Sequence, residues 1–141
     1  MKVIPITEES LYEIDKLKSI GVSTHDLDNI YGLYVNDKLV GFSQHLKIGY
    51  YLEVDNLHIL KEFRCKGYGK DFIKYLKCEY KNNINFISGQ SKPDAVGFWS
   101  NMGAKFEDEI NEEEIANAEL EGHCFPFTIR VKEETTRMNL I

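Results

Sequence analysis

The feature that most limits how this chain can fold is a strand that runs through a glycine-bearing turn into a helix. The segment is LHILKEFRCKGYGK, residues 57–70. Gly67 and Gly69 let the backbone approach a ligand closely, and the amides at the start of the following helix favour an anion. Three cations lie at the same place: Arg64, Lys66 and Lys70. The residues therefore predict a site for a phosphate or pyrophosphate group.

Two common phosphate-binding loops do not fit this segment. A Walker A loop has the pattern G-x-x-x-x-G-K-[ST], but Gly69-Lys70 is followed by Asp71 and the earlier glycine is missing. A dinucleotide fingerprint has the pattern G-x-G-x-x-G, and Phe72 occupies its last position. The loop must belong to another class of phosphate-binding protein.

Length and composition predict one globular domain over residues 1–141. The chain is 43% hydrophobic and 28% charged, which excludes disordered and collagen-like proteins. No apolar run approaches the roughly 18 residues of a membrane span, and Met1–Pro5 lacks the order of a signal peptide. We expect a soluble, cytoplasmic protein that does not bind membranes.

The cysteines and histidines predict neither disulfides nor a metal site. Cys65, Cys78 and Cys124 are widely spaced and form no CxxC motif, so each is expected to be a buried or half-buried free thiol. Cys124 also lacks an identifiable partner base for nucleophilic catalysis. The four histidines stand alone, and we expect structural or surface roles for them: His25, His45, His58 and His123.

Charge is distributed unevenly along the chain, whose net charge is −6. Glu107–Glu121 contains eight acids and no Lys or Arg, whereas Lys61–Lys81 contains seven basic residues and three acids. Nucleic acid is disfavoured as a partner because a phosphate-tracking domain is normally basic as a whole. The acidic stretch is expected to be a solvated face, with attraction of a cationic amine (polyamine, aminoglycoside or Lys-containing peptide) as the alternative.

Hydrophobic periodicity and turn residues predict a mixed α+β domain with a largely antiparallel sheet and a β-α-β-α-β centre. Helices are expected from Thr7 to Ile20 with Leu11 in the apolar stripe, over Tyr68–Lys81, and from Pro93 to Met102; Ser23–Ile30 is a turn or short helix, and Glu109–Glu121 is a short helix or ordered insertion. The predicted strands are Lys2–Ile6, Tyr31–Val35, Leu39–Ile48, Tyr50–Leu60, Asn85–Ser88, Lys105–Glu107 and His123–Lys132.

The pattern R-x-x-G-x-G after a long strand resembles the pyrophosphate-binding signature of the GNAT superfamily, the acetyl-CoA-dependent N-acetyltransferases. The segment AVGFWSNMGAKF, residues 95–106, resembles that family's aromatic-x-x-x-Gly helix beside pantetheine. The order of elements is similar over nearly the whole chain. The resemblance implies an α/β fold with a mixed, mostly antiparallel central sheet flanked by helices on both faces. It also implies acetyl-CoA as co-substrate, no metal, and direct attack by a primary amine of a small molecule or peptide.

The resemblance assigns cofactor-binding roles residue by residue. It implies that pantetheine pairs with the strand at Leu57, His58 and Ile59. It implies that the pyrophosphate lies in the turn formed by Arg64, Cys65, Lys66, Gly67, Tyr68, Gly69 and Lys70. Lys92 stands where many members carry a cofactor-touching Asn. Trp99 stands where many members carry a Tyr that protonates the leaving thiolate, and an indole N–H cannot serve as that acid.

Glu53 lies eleven residues before Arg64, where the histone-acetyltransferase branch has its general base. The resemblance thus implies that Glu53 takes the proton of the attacking amine; a solvated or ion-paired carboxylate is the other interpretation, and Asp55 is the other candidate base. Tyr50, Tyr51 or water could supply the acid, or the step runs without one. A CoA-binding sensor or partner-binding module that has lost catalysis is the alternative function. Self-association into a homodimer stays open.

Overall fold

A computed structural model describes residues 1–107 and 110–131 of the chain. The strands are β1 (Lys2–Pro5), β2 (Ile30–Val35), β3 (Lys38–Ile48), β4 (Tyr51–Ile59), β5 (Phe86–Ser91), β6 (Lys105–Phe106) and β7 (Phe125–Arg130). The helices are α1 (Leu11–Ser19), α2 (Tyr68–Glu79), α3 (Val96–Asn101) and α4 (Glu112–Glu121), with short 3₁₀ turns at Lys61–Phe63 and Pro93–Ala95.

The strands form one sheet in the order β1-β2-β3-β4-β5-β7-β6. β4 and β5 run parallel, whereas β1/β2, β2/β3, β5/β7 and β6/β7 are antiparallel. This confirms the expected mixed α/β fold with a mostly antiparallel sheet. The chain divides into two compact units, and β4 contributes to both: the first unit holds residues 1–46 and 55–75, and the second holds residues 47–54 and 76–141.

The first unit is organised around an apolar cluster made by α1, β2, β3 and the residues that follow β1 and β4. Its buried members are Ile6, Leu17, Ile30, Leu39, Phe42 and Leu60. Asn36 and Asp37 join β2 to β3 with positive φ angles of 52° and 63°, the geometry that a tight hairpin favours and that the sequence predicts. At Gly41 an added Cβ would lie 2.4 Å from the backbone oxygen of His58, so glycine there lets β3 approach the end of β4.

The second unit buries one face of its strands. Parallel pairing runs from Tyr51 opposite Phe86 to Val54 opposite Gly89, and β5 pairs with β7 from Phe86 to Ser91. Residues that alternate along these strands share a face, and five side chains of one face are buried: Leu52, Val54, Ile87, Phe127 and Ile129. This buried face anchors the half of β4 that carries Glu53.

One helical prediction needs correction. α1 begins at Leu11 and not at Thr7, because the Thr7 and Ser10 hydroxyls bond to nearby backbone and each other and hold a turn before the helix. Leu11 is 70% exposed and does not join the apolar stripe. Of the two alternatives for residues 23–30, a turn or a short helix, the structure has the turn, since the Ser23 and Asp26 side chains accept backbone N–H bonds two residues ahead.

The predicted burial of the cysteines is wrong: Cys65, Cys78 and Cys124 are all exposed. Cys65 lies in the turn before α2 with a φ of 62°, and the other two lie on α2 and just before β7. Free thiols tend to be buried, but these three positions in the fold leave the side chains exposed. Two further predictions reach beyond the described residues, because Asp108 and Glu109 in the acidic stretch and Lys132 at the end of the last strand lie outside them.

His45 has the structural role expected of it. It is 2% exposed, its Nδ1 shares a hydrogen bond with the Ser43 hydroxyl, and its ring stacks on Tyr31 with centroids 4.2 Å apart. Burial lowers the pKa of the imidazole from 6.5 to about 4. The ring is therefore neutral in the folded protein at neutral pH.

We predict that the stability of the protein falls between pH 6.5 and about 4 through His45. In this window His45 binds a proton in the unfolded chain but stays neutral in the folded protein. The free energy of unfolding therefore falls by up to about 3 kcal/mol as the pH drops. Urea unfolding across this range measures the loss. His45→Asn should flatten this part of the pH profile and His25→Asn, at an exposed histidine, should not; identical profiles for both variants would contradict the prediction.

Candidate functional site

The turn between β4 and α2 is stabilised by its own residues. The 3₁₀ turn Lys61–Phe63 follows β4, and the Nε–H of Arg64 donates to the backbone oxygen of Ile59 at 2.9 Å. Cys65 and Gly67 then adopt positive φ angles of 62° and 81°. These reversals direct the chain into α2, which begins at Tyr68 as predicted.

The start of α2 leaves backbone amides open. The first bond of the helix runs from the Asp71 N–H to the Gly67 oxygen at 3.0 Å, so the N–H groups of Tyr68, Gly69 and Lys70 have no acceptor within the helix. A Cβ built on Gly67 would meet no atom within 4 Å, so the space beside these amides is open. The turn and helix start therefore form a cradle suited to an anion.

The positive side chains around this cradle are not neutralised by the part of the chain that the structure describes. The ion pairs found there are Lys2–Asp37 and Glu121–His123. None of the cations near the turn takes part: Lys61, Arg64, Lys66, Lys70 and Lys74. Lys66 instead has its ammonium 5.9 Å from the centre of the Phe63 ring. The cradle thus carries unpaired positive charge.

The segment of β4 before the turn is half-buried at Leu57, His58 and Ile59. On the side of β3, the Leu60 N–H donates to the Val40 oxygen at 2.9 Å. The first unit therefore brings together all the residues of β4 and the turn for which cofactor binding is predicted.

The second unit carries Glu53 on the face opposite its buried core. Glu53 pairs with Ser88, and Ser88 pairs with Thr128; Gln90 pairs with Pro126 one step further along the same face. Each of these residues is exposed or half-buried. We call this surface, from Glu53 to Gln90 and Pro126, the open face. Asp55, the other candidate base, is exposed and belongs to the first unit.

Trp99 lies on the buried side. It is 7% exposed, stacks on Phe127 with ring centroids 4.4 Å apart, and meets Phe98 edge-on at 4.9 Å. Trp99 is therefore a core residue of the second unit. Lys92 is exposed, caps the 3₁₀ turn before α3, and lines a cleft of about 440 Å³ between that turn and the end of α4. The sequence did not predict this cleft. The acidic stretch is the sequence feature that comes closest to indicating it.

Solved structures share this arrangement of strands and helices. N-acetylglutamate synthase from Neisseria gonorrhoeae, complexed with coenzyme A and N-acetyl-glutamate, matches 94% of the chain at 13% identity with a TM-score of 0.64. Tetrahymena GCN5 matches 94% of the chain and 97% of its own length, at 14% identity and a TM-score of 0.66. Arabidopsis thaliana Naa50, in complex with a bisubstrate analogue, matches 90% of the chain and 96% of its own length, at 18% identity and a TM-score of 0.60.

The chain has the GNAT fold. It spans about a third of the N-acetylglutamate synthase, 35% of that chain. No protein-family model matches the sequence, and no curated protein does either. The assignment of the GNAT fold therefore rests on structural similarity alone. The sequence identities are too low to assign a substrate to this chain.

Two further findings concern residues 1–107 and 110–131. None of their helices is long and apolar enough to cross a membrane. No group of three or more of their His, Cys, Asp and Glu side chains is placed to hold a metal ion.

We predict that Trp99 stabilises this GNAT fold chiefly by packing. Trp99→Ala removes a buried ring and its stack on Phe127, and should lower the free energy of unfolding by about 3–5 kcal/mol in urea titrations. Phe98→Ala is the matched control, because Phe98 is half-buried on the same helix and should cost less than half as much. Equal losses would show that Trp99 is not the core anchor.

Proposed function

We propose that this protein is an acetyl-CoA-dependent N-acetyltransferase that acts on a primary amine of a small molecule or peptide. The observation that carries the proposal is the open cradle at the start of α2, where unbonded amides and unpaired cations meet. A pyrophosphate has the charge and oxygen acceptors to satisfy such a cradle. The GNAT fold of structures complexed with coenzyme A supports the same ligand.

In this proposal the first unit binds the co-substrate. The amides and side chains of residues 64–70 hold the pyrophosphate, and Leu57, His58 and Ile59 pair with the pantetheine arm. Arg64 also positions the turn, because its Nε–H is committed to the Ile59 oxygen. Lys92 and Trp99 are proposed cofactor neighbours, and the burial of Trp99 limits it to an apolar wall.

The acceptor amine attacks the thioester carbonyl carbon. A new C–N bond forms and the C–S bond breaks; the acceptor nitrogen, which starts as an ammonium, loses one proton before the attack and a second after it, and the leaving thiolate gains one. We propose that Glu53 accepts the proton from the amine, since its carboxylate lies half-buried on the open face where an acceptor can approach. Trp99 cannot return a proton to the thiolate. Tyr50, Tyr51 and water are the candidates for that step.

A CoA-binding sensor without catalysis is the second candidate function. The specific observation in its favour is Trp99, which occupies the core at the position where the resemblance implies an acidic Tyr. An enzyme releases CoA faster when an amine is added, and a sensor does not. Thiol release from acetyl-CoA against a panel of amines separates the two.

We predict that Gly67→Glu weakens CoA binding at least tenfold in calorimetry. The carboxylate would stand in the cradle and repel the pyrophosphate. Gly21→Glu is a matched control, because Gly21 also has open space around its missing side chain and a φ of 82°, against 81° at Gly67. Both variants carry the same backbone strain of roughly 1–2 kcal/mol. Undiminished binding by Gly67→Glu, or equal weakening by both, would contradict the cradle.

We predict that Glu53→Gln slows amine acetylation by roughly 10²–10⁴-fold near neutral pH and leaves CoA affinity unchanged. The substitution keeps the size of the side chain and removes its basicity. The deficit should shrink at high pH, where the amine is already neutral. Glu79→Gln, at an exposed glutamate at the end of α2, is the control. A wild-type rate for Glu53→Gln would make Asp55 or water the next candidate base.

A further inference from the structure

A row of exposed apolar side chains crosses the second unit beside Glu53. Tyr51 lies directly opposite Phe86 in the parallel pairing of β4 with β5. A two-residue turn at 49–50 joins β3 to β4, which places Ile48 opposite Tyr51 on the other side. The side chains of Ile48, Tyr51 and Phe86 are 37%, 39% and 38% exposed. We call these three residues the apolar row.

The apolar row belongs to the face of the sheet that carries Glu53. Side chains two residues apart on a strand point to the same face, so Tyr51 and Glu53 share a face of β4. Phe86 and Ser88 share the matching face of β5, because they pair with Tyr51 and Glu53. Leu52, between Tyr51 and Glu53, is fully buried on the opposite side. Two residues of strand span about 7 Å, so the apolar row lies about 7 Å from Glu53 along β4.

Polar and charged groups surround the apolar row. Glu53 and Ser88 lie along one side of it, and Glu53 forms no ion pair among the described residues. Arg130 pairs with Phe86 at the end of the row, and its guanidinium carbon lies 5.7 Å from the centre of the Phe86 ring. Contiguous exposed apolar surface with a polar rim is typical of a binding site. This arrangement suits a ligand with one positive group next to an apolar group.

We propose that the apolar row binds an aromatic ring of the acceptor, so that the substrate is a monoamine with a short carbon chain between its nitrogen and the ring. The inference rests on the proposed function, in which Glu53 receives a proton from the reacting nitrogen. The rings of Tyr51 and Phe86 can pack against a substrate ring in offset or edge-on geometry. A separation of about 7 Å corresponds to a chain of about three carbons. A diamine would instead bring a second positive charge towards Arg130.

The test compares three amines that differ only at the third carbon of the chain. n-Propylamine carries hydrogen there, 3-phenylpropylamine carries a phenyl ring, and 1,3-diaminopropane carries a second ammonium group. With the full chain and saturating acetyl-CoA, kcat/KM should be about tenfold higher for 3-phenylpropylamine than for either of the others, because only its ring covers the apolar row. Equal values for the three amines, or the highest value for the diamine, would overturn the inference.

A substitution in the row locates the effect. Phe86→Ala should lower the ratio of kcat/KM for 3-phenylpropylamine over n-propylamine from about tenfold to about twofold, chiefly through KM. Leu120→Ala is the matched control, because Leu120 is an apolar side chain of the same unit that is 87% exposed on α4, and it should keep the ratio. Equal ratios in the two variants would overturn the site. Ile48→Ser provides a second variant at the other end of the row, should Phe86→Ala fail to fold. Tyr51 stays unchanged because it is also a candidate proton donor to the thiolate.

Calorimetry without acetyl-CoA separates this inference from the proposed function. Binding of 3-phenylpropylamine that is tighter than that of n-propylamine, and that Phe86→Ala weakens and Leu120→Ala does not, supports the apolar row as a site for the ring. If no amine speeds the release of CoA while this binding is present, the proposed function fails and the ring site stands. If amines are acetylated but the phenyl ring gives no gain in kcat/KM, the enzyme stands and the ring site is overturned.

Discussion

The chemistry available to this chain depends on a constraint that every helix meets: the N–H groups of its first turn have no partner within the helix. At the start of α2 these groups belong to Tyr68, Gly69 and Lys70. A side-chain cap would satisfy one of them, but Gly67, which accepts the first helical bond, has no side chain. The donors are therefore open to a ligand or to water, and the bond from Arg64 to the end of β4 fixes the turn that presents them.

The second unit contributes a different kind of surface. Its strands bury most of one face, and Trp99 packs against that face through Phe127. With this core anchored, the opposite face is left open, and Glu53 lies on it. A carboxylate at this register can meet a substrate from solvent, whereas a shift of one residue along β4 would place it in the core. The core packing thus determines where the candidate base can act.

Most of the fold could be predicted from the sequence where local chemistry and tertiary packing agree. The Asn36-Asp37 hairpin and the start of α2 each have residues that strongly prefer the observed backbone. The errors lie where two sequence signals compete. The Thr7 and Ser10 hydroxyls hold a turn where a helix is expected. The cysteines are exposed because of their positions in the fold, although free cysteines are buried on average. The cleft could not be predicted, because Asp94 and Glu119 meet only through tertiary packing.

Net charge alone would give a wrong prediction of which charged ligands this protein attracts. The value of −6 suggests repulsion of an anionic ligand, yet residues 107–121 carry eight acids and the rest of the chain has 17 basic and 15 acidic residues, a balance of +2. At an ionic strength near 0.1 M, interactions between exposed charges fade over about 10 Å, so a ligand responds to its immediate surroundings. Within the first unit the cradle is locally positive, and within the second unit α4, with five glutamates and no Lys or Arg, is locally negative. In the proposed function, an anionic co-substrate and an amine that arrives as a cation would therefore each meet a different local charge.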